Sequence, residues 1–345
     1  MEQDKNNAIN ATIKDVARLA KVSIATVSRI LNGKETVSPH LVERVMSAVE
    51  ELRYQPNAVA RALKVRESLS MGLIIPDIEN PFFPALVRGV EDAAQMHDYS
   101  VILCNTDGKP AEEERYIRFL YNKRVDGILF TGGRYSDDNV AMLATLSIPV
   151  VLLDRRVGSQ LSTVVTDNYL GGFMATEHLI KRGRSRIAFI SGPPELSSVQ
   201  TRREGYVQAL RQHGLSYGEE LVLPGDFTFE SGHRAAARLI ADGLSVDAFF
   251  AANDMMAIGA IEYLRAYGIR VPEEIAAVGY DDIRMAAWYK PSLTTVRQPV
   301  YQMGQCAVRR MLELVSGGVR RYSEEVLRPE LVIRDSSGSR GGKEQ

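Results

Sequence analysis

The chain has 345 residues, 45% hydrophobic and 25% charged, with a formal net charge of −1. That balance excludes a disordered, collagen-like or strongly nucleic-acid-coating chain and leaves room for more than one globular domain. Two cysteines, Cys104 and Cys306, and five scattered histidines form neither a disulfide framework nor a metal-ligand spacing, so no cofactor and no metal are expected. The opening MEQDKNNAIN is polar and unlike an export signal, and no run approaches a membrane span. A cytoplasmic protein with no membrane partner is the expectation.

The first elements in chain order are two short helices and a tight turn, in residues 12–33, TIKDVARLAKVSIATVSRILNG. Thr12 caps the first, with Asp15 three residues on as a shortened capping box, and Val16, Leu19 and Ala20 recur at helical spacing as its inward face. Lys21-Val22-Ser23 makes the turn, Ser23 caps the second helix, and Val27, Ile30 and Leu31 give that helix its buried side before Asn32-Gly33 stops it. A third helix opens with Ser38 and Pro39 and carries the stripe Leu41, Val45, Val49, Leu52. Three such helices around one small core predict an all-α helix-turn-helix head over residues 11–56.

The second helix keeps residues that this core does not need. An arginine fork matches O6 and N7 of guanine in the major groove, which selects Arg29 for base reading. Ile24 and Ala25 are suited to thymine methyls, while Thr26 and Ser28 are suited to phosphates, which position the head without reading sequence. Thr12, Ser23, Asn32 and, further on, Asn57 complete the candidate DNA-binding set. From residue 12 to 65 there are nine basic residues against five acidic ones, an excess that the chain as a whole does not share. The bland alternative for Arg29 is a solvated charge on a helix face.

The segment Tyr54-Gln55-Pro56-Asn57-Ala58-Val59-Ala60-Arg61-Ala62-Leu63-Lys64 follows. Together with the head it resembles the LacI/GalR family of bacterial transcription regulators, in which Y-x-P-x-x-x-A-R-x-L is a hinge that becomes helical on operator DNA. The resemblance implies a hinge helix and linker over 57–69, with Leu63 wedging into a base step from the minor groove and Ala62 and Lys64 beside it. An apolar wedge kinks the duplex at a cost of a few kcal/mol, offset by added contacts, and so short a helix is marginal without DNA and a partner hinge. The alternative is a plain linker.

From residue 70 apolar strands alternate with amphipathic helices. Strands are expected at 71–76, 101–105, 127–131, 150–154, 186–191, 248–252, 275–280 and 294–298, with helices such as 84–97, 112–122, 171–182, 201–213 and 256–267 between them. Such alternation implies parallel sheets covered on both faces, and the strands are too many for one small sheet. The expected body, over 70–335, is therefore two α/β lobes with a cleft. Residues 336–345, rich in Ser, Gly and charge, are expected to be a disordered tail with no leucine heptads for tetramer formation.

Ligands of such sheets sit beyond the carboxyl ends of the strands. Read there, the chain offers Asn80, Phe82, Phe83, Asp154, Arg155, Arg202, Asn253, Asp281 and Gln298. Aromatic faces stack on the C–H faces of a sugar, and carboxylates, amides and guanidinium forks saturate its hydroxyls. Five of them have a plainer alternative: strand-end or helix caps for Asp154 and Asp281, core for Phe82 and Phe83, a solvent-facing charge for Arg155. Asp254 reads as the cap of the next helix, and Asp167-Asn168 as crossover or cap chemistry. The motifs N-P-F-F, L-D-R, R-x-E-G-Y, N-D-x-M-A-x-G-A, V-G-Y-D-D and Q-P resemble the pocket of ribose-type periplasmic binding proteins and of the repressors built on that body. This implies a small sugar effector, ribose or a similar pentose, bound between the lobes; the Ser198-Val199-Gln200 run departs from ribose repressors and leaves a different pentose or a hexose open. Purine repressors share the fold but carry a polar, arginine-bearing segment where this chain has Glu195-Leu196-Ser197-Ser198, and Leu196 argues against a nucleobase.

The expected function is a sugar-controlled repressor whose homodimer reads a pseudo-palindromic operator. A corepressor or a phosphocarrier protein as effector are variants of it. A sugar-acting enzyme using Asp154 and Asp281 as an acid–base pair is the competing class, disfavoured because no catalytic triad, phosphate loop or metal cluster accompanies them.

Overall fold

The computed structural model describes residues 11–31, 37–54, 68–132, 138–156, 161–317 and 322–338. The chain divides into two compact units between Ser68 and Leu69. The expected hinge residues Asn57, Ala62, Leu63 and Lys64, and Asn32, lie outside the described residues.

The head contains α1 (Ile13–Leu19), α2 (Ile24–Leu31) and α3 (Pro39–Glu51). Its core is Val16, Ala17, Ala20, Val27, Val45 and Ala48, flanked by Ile13, Val22, Ile30, Leu31, Val49 and Leu52. Small alanines at the crossings let three short helices approach closely around the valines. Lys21 takes φ 49° directly after α1, and Val22 N–H donates to the Ala17 carbonyl, which satisfies an orphan helix carbonyl and turns the chain into α2. Arg44 of α3 donates to the Ala20 carbonyl at 2.5 Å, fastening α3 to the same corner. Leu19 departs from expectation: it is 41% exposed, and Ala17 takes its place inside. In a two-turn helix, Ala17 lies beside Val16 and Ala20 on the side facing the core, and Leu19 falls over the outer edge against α3.

The body is two six-stranded lobes. The first lobe has strand order β11-β5-β4-β3-β1-β2, from β1 (Ser70–Ile75), β2 (Ser100–Asn105), β3 (Gly127–Phe130), β4 (Val150–Leu153), β5 (Ser162–Thr166) and β11 (Glu324–Leu327), all parallel. The second has order β12-β10-β9-β8-β6-β7, from β6 (Ile187–Ile190), β7 (Val222–Leu223), β8 (Ala248–Ala251), β9 (Ala276–Asp281), β10 (Thr294–Arg297) and β12 (Glu330–Val332), with only β12 antiparallel. Helices α4 (Phe82–Gln95), α5 (Pro110–Asn122), α6 (Asp138–Thr145) and α12 (Val300–Val315) belong to the first lobe. Helices α7 (Asn168–Lys181), α8 (Ser197–Gln212), α9 (Phe229–Ala241), α10 (Asp254–Ala266) and α11 (Arg284–Trp288) belong to the second. Among the described residues the lobes exchange chain three times: from β5 into α7, from β10 through Gln298-Pro299 into α12, and from β11 through Arg328-Pro329 into β12. Among the described residues no helix is long and apolar enough to cross a membrane.

All eight expected strands are present with small shifts at their ends. The four not anticipated are β5, β7, β11 and β12. Their sequences are Ser/Thr-rich (STVVT), two residues long (VL) or acidic (EEVL, ELV), so none forms a long apolar run. Order also extends past 335. Ser336 Oγ accepts from Thr294 N–H and donates to the Ala277 carbonyl, and Ser337 Oγ bonds His178 Nε2 at 2.8 Å, so both serines are buried rather than part of a loose tail.

Glycines set the closest helix contacts. A Cβ on Gly172 of α7 would lie 2.1 Å from the Arg202 carbonyl of α8, and one on Gly205 of α8 would lie 2.2 Å from the Tyr169 carbonyl. Gly89 and Gly304 play the same part between α4 and α12. Because backbone atoms stand in the way, Gly172→Ala must push α8 outward and carry Arg202 with it. We expect about 1–3 kcal/mol of lost stability in urea unfolding, whereas Gly214→Ala at an open turn meets no atom and loses about 1 kcal/mol through its φ of 68° alone.

Candidate functional site

Between the two lobes of the body lies a cleft of about 470 Å³. All nine residues expected from the strand ends line it: Asn80, Phe82, Phe83, Asp154 and Arg155 from the first lobe, Arg202, Asn253 and Asp281 from the second, and Gln298 from the crossover. The rule of the strand carboxyl ends therefore gathers residues as far apart in sequence as Asn80 and Gln298 onto one surface.

On the first-lobe wall, Asn80 Oδ1 accepts from the Phe82 amide at 3.1 Å, opening α4 and turning two phenyl rings inward. Phe82 and Phe83 meet edge to face with centroids 5.1 Å apart. Both rings belong to the lobe's core and line the cleft at once, so the two readings weighed for them are not exclusive.

Arg202 is the centre of the second-lobe wall. It is 3% exposed; Nε donates to Asn168 Oδ1 at 2.8 Å, Nη1 donates to the Ala252 carbonyl at 2.7 Å, and the guanidinium lies 3.8 Å over the Tyr280 ring. Tyr280 Oη also donates to Asn168 Oδ1, at 3.2 Å. Asn168, set aside in the sequence as crossover chemistry, is thus what orients Arg202, while Asp167 caps α7 through the Leu170 amide as expected.

Two acids face this guanidinium. Burial pushes the Asp281 carboxyl up to about 7; Arg202 and the hydrogen bond from Gln298 Nε2, at 2.7 Å, pull it down, and Asp154 pushes it up further. Asp154 is likewise raised by burial, against the pull of Arg202 and Arg155. Asp154 Oδ1 and Gln298 Oε1 have no hydrogen-bond partner among the described residues. Asp281 has φ 112° and Asp154 has φ 63°, backbone regions that cost an L-residue on the order of 1–3 kcal/mol. The strain aims both carboxyls off their strand ends, and neither acts as a helix cap.

Asn253 takes over the cap expected of Asp254 and still lines the cleft. Asn253 caps α10, accepting from Met256 N–H at 2.9 Å, and its amide holds the Phe227 carbonyl at 2.9 Å. Asp254 is no cap: fully buried, it accepts from Thr295 Oγ1 and Ile283 N–H, and burial beside Asp281 raises it well above the carboxylate range. The cap is one residue earlier because Asn253 alone has the extended backbone that lets its side chain turn back over the first turn.

The cleft also takes in Asp77, Asp107, Glu113, Asp226 and Phe227, beyond the residues expected there, and Glu195, Leu196 and Ser198 from the Glu195–Ser198 segment. Asp77, Asp107, Asp226 and Phe227 follow β1, β2 and β7, so the same strand-end rule, applied to every strand, reaches them.

On the head, Ser23 Oγ accepts from the Thr26 amide at 3.1 Å and caps α2, and Thr12 donates from amide and hydroxyl to Asp15 at 2.9 and 2.6 Å. Ile24 is 46% exposed, Ala25 and Arg29 are exposed beside it, and Val27 points inward with no exposure. Thr26 and Ser28 are half-buried at the margin of that face. An exposed isoleucine costs solvation, and beside it Ala25 lies one turn before Arg29 on the exposed side of α2.

A three-helix head with this exposed α2 face, followed by a two-lobed ligand-cleft body, defines a DNA-binding regulator with an effector domain. Residues 12–57 match the model for bacterial regulatory proteins of the lacI family, and residues 68–332 match that for periplasmic binding proteins and the sugar binding domain of the LacI family. The HTH-type transcriptional repressor PurR of Haemophilus influenzae strain PittEE is 38% identical, covering 94% of this chain and 98% of that one. The ribose operon repressor of Halalkalibacterium halodurans is 37% identical, covering 96% and 98%. The lac repressor dimer bound to operator and the anti-inducer ONPF superposes with a TM-score of 0.87 at 28% identity, covering 95% of this chain and 99% of that one. The chain belongs to the LacI family, and is a DNA-binding transcription repressor rather than an enzyme.

The cleft acids predict a pH signature. A carboxyl raised to about 7 in the folded state stays protonated where the unfolded chain, near 3.8, has already released its proton. The native state then binds more protons than the unfolded one, so this contribution is complete below about pH 4 and is lost as pH rises through 7. Asp281→Asn should therefore be more stable than wild type at pH 8, by roughly 2–4 kcal/mol, and the gap should close toward pH 4. Denaturant unfolding across that range measures it; a gap independent of pH would contradict it.

Proposed function

We propose that this repressor is controlled by a small uncharged sugar, ribose or a similar pentose, bound in the cleft, and that sugar binding releases the operator. The observation that carries this reading is the pair Asp154 and Asp281 around Arg202, with open acceptors at Asp154 Oδ1 and Gln298 Oε1. A pentose offers a hydroxyl donor at nearly every carbon, and Phe82 and Phe83 supply apolar surface for its ring. The lining holds seven carboxyl residues (Asp77, Asp107, Glu113, Asp154, Glu195, Asp226, Asp281) against two arginines (Arg155, Arg202), which disfavours a phosphorylated sugar. Buried Leu196 in the lining supports a sugar over a nucleobase. The likeness to the PurR proteins favours a purine as the second reading, and Phe82–Phe83 would then be its stacking surface.

On the DNA side, Arg29 reads a base, Ile24 and Ala25 contact thymine methyls, and Thr12, Ser23, Thr26 and Ser28 hold phosphates. Asn32, Asn57, Ala62, Leu63 and Lys64 complete the contact set by resemblance. Two chains form the homodimer that meets two half-sites. Sugar closing the lobes would disturb the paired hinges, coupling the sites by about 1–3 kcal/mol.

The test is calorimetric titration of the full chain with ribose, other pentoses, hexoses, ribose 5-phosphate and purines. Binding of a neutral pentose, with ribose 5-phosphate silent, is expected; binding of a purine alone would replace the sugar. Asp281→Ala should abolish the sugar response and keep operator binding in a mobility-shift titration. Arg29→Ala should relax base preference at one position per half-site by about 1–3 kcal/mol; equal weakening on all sequences would make Arg29 a phosphate contact.

A further inference from the structure

Asp281 and Asp282 are consecutive residues at the end of β9, with φ of 112° and 57°. Left alone, such a turn relaxes. Here Asp282 is anchored through both carboxylate oxygens: Arg334 Nη2 donates to Oδ1 at 2.5 Å and Arg297 Nε donates to Oδ2 at 2.7 Å. The pair is sheltered, with side-chain exposures of 8% for Asp282 and 16% for Arg334, and 49% for Arg297. Arg334 is itself fixed, since Nη1 donates to the Leu293 carbonyl at 2.7 Å and its amide to Thr294 Oγ1 at 2.8 Å. The next residue of the turn is held as well, Ile283 N–H to Asp254 Oδ2 at 2.9 Å.

The two arginines come from informative places. Arg297 ends β10 and directly precedes Gln298, the crossover residue that donates to Asp281. Arg334 lies just beyond β12, the strand entered from the third crossover. One carboxylate that does not line the cleft thus ties the second interlobe connection, and the chain leaving β12, to the turn presenting Asp281.

We propose that Asp282 and its partners Arg334 and Arg297 position Asp281 and Gln298 for effector binding, with Arg334 the principal positioning residue. The inference rests on the sugar-effector reading of the cleft. It predicts that effector affinity, rather than ligand-free operator binding, is lost when the clamp is cut.

The experiment uses the full chain carrying Arg334→Met, with Arg334→Lys as the conservative variant and Asp282→Asn as a second route should R334M not fold. In ligand-free protein, amide hydrogen exchange at Asp282 and Ile283 should quicken about tenfold in R334M and return part of the way in R334K. Affinity for the sugar that wild type binds should fall about tenfold or more in R334M, with R334K between, while ligand-free operator affinity stays within about threefold. Unchanged exchange at the turn, or wild-type sugar affinity in a folded R334M, would overturn the proposal. So would operator and sugar affinities falling together with no rescue by lysine, which marks a general loss of structure. If wild type binds none of the sugars, the effector reading fails by itself; faster exchange in R334M then still supports the clamp, and unchanged exchange sinks it too.

Discussion

One guanidinium organises the body of this protein. Arg202 is buried, and a buried charge is tolerated only where hydrogen bonds and opposite charge compensate its lost hydration. Asn168 at the first crossover and the Ala252 carbonyl at the end of β8 supply the hydrogen bonds, Tyr280 supplies a ring face, and Asp154 and Asp281 supply the charge from opposite lobes. The arginine therefore connects both walls of the cleft to a connection between the lobes. Its position depends in turn on Gly172, whose missing side chain lets α7 and α8 close to backbone contact.

The compensation is incomplete, and that bears on function. Asp154 and Asp281 are raised by burial, two acceptor oxygens lack partners among the described residues, and both aspartates hold strained backbone angles. These features cost native stability without improving packing. They are what a polyhydroxyl ligand can relieve, by donating to the acceptors and favouring the ionised carboxylates. In the proposed reading, relief of that cost is greatest with the lobes closed, which gives the ligand a differential affinity for one state over the other, the only means by which it can shift an equilibrium.

Much of this was legible in the sequence for identifiable reasons. Caps have local signatures, so Thr12 and Ser23 and the helices they open follow from neighbouring residues. Strand carboxyl ends are marked where an apolar run stops, so Asp154, Asn253, Asp281 and Gln298 could be assembled in one cleft without coordinates. The failures are equally physical. Strands β5, β7, β11 and β12 escape because short, hydroxylated or acidic segments depend on neighbouring strands rather than on their own pattern. Asp77, Asp107 and Asp226 share the cleft, but acids after a strand also read as ordinary turn residues. The shift of the cap from Asp254 to Asn253 turns on the backbone conformation of one residue, and the grip of Asn168 on Arg202 joins residues 34 positions apart. The order of Ser336 and Ser337 comes from partners on β9, β10 and α7 that their own Ser/Gly-rich context does not announce.

The most direct measurement of the central claim is sugar affinity of the full chain, free and saturated with operator, at one salt concentration. Linkage requires that sugar and operator alter each other's affinity by the same factor. The proposed mechanism predicts weaker sugar binding to the operator complex, by about 5–150-fold, with an equal weakening of operator binding by sugar. Equal sugar affinity in the two states, or tighter binding on the operator, would contradict it.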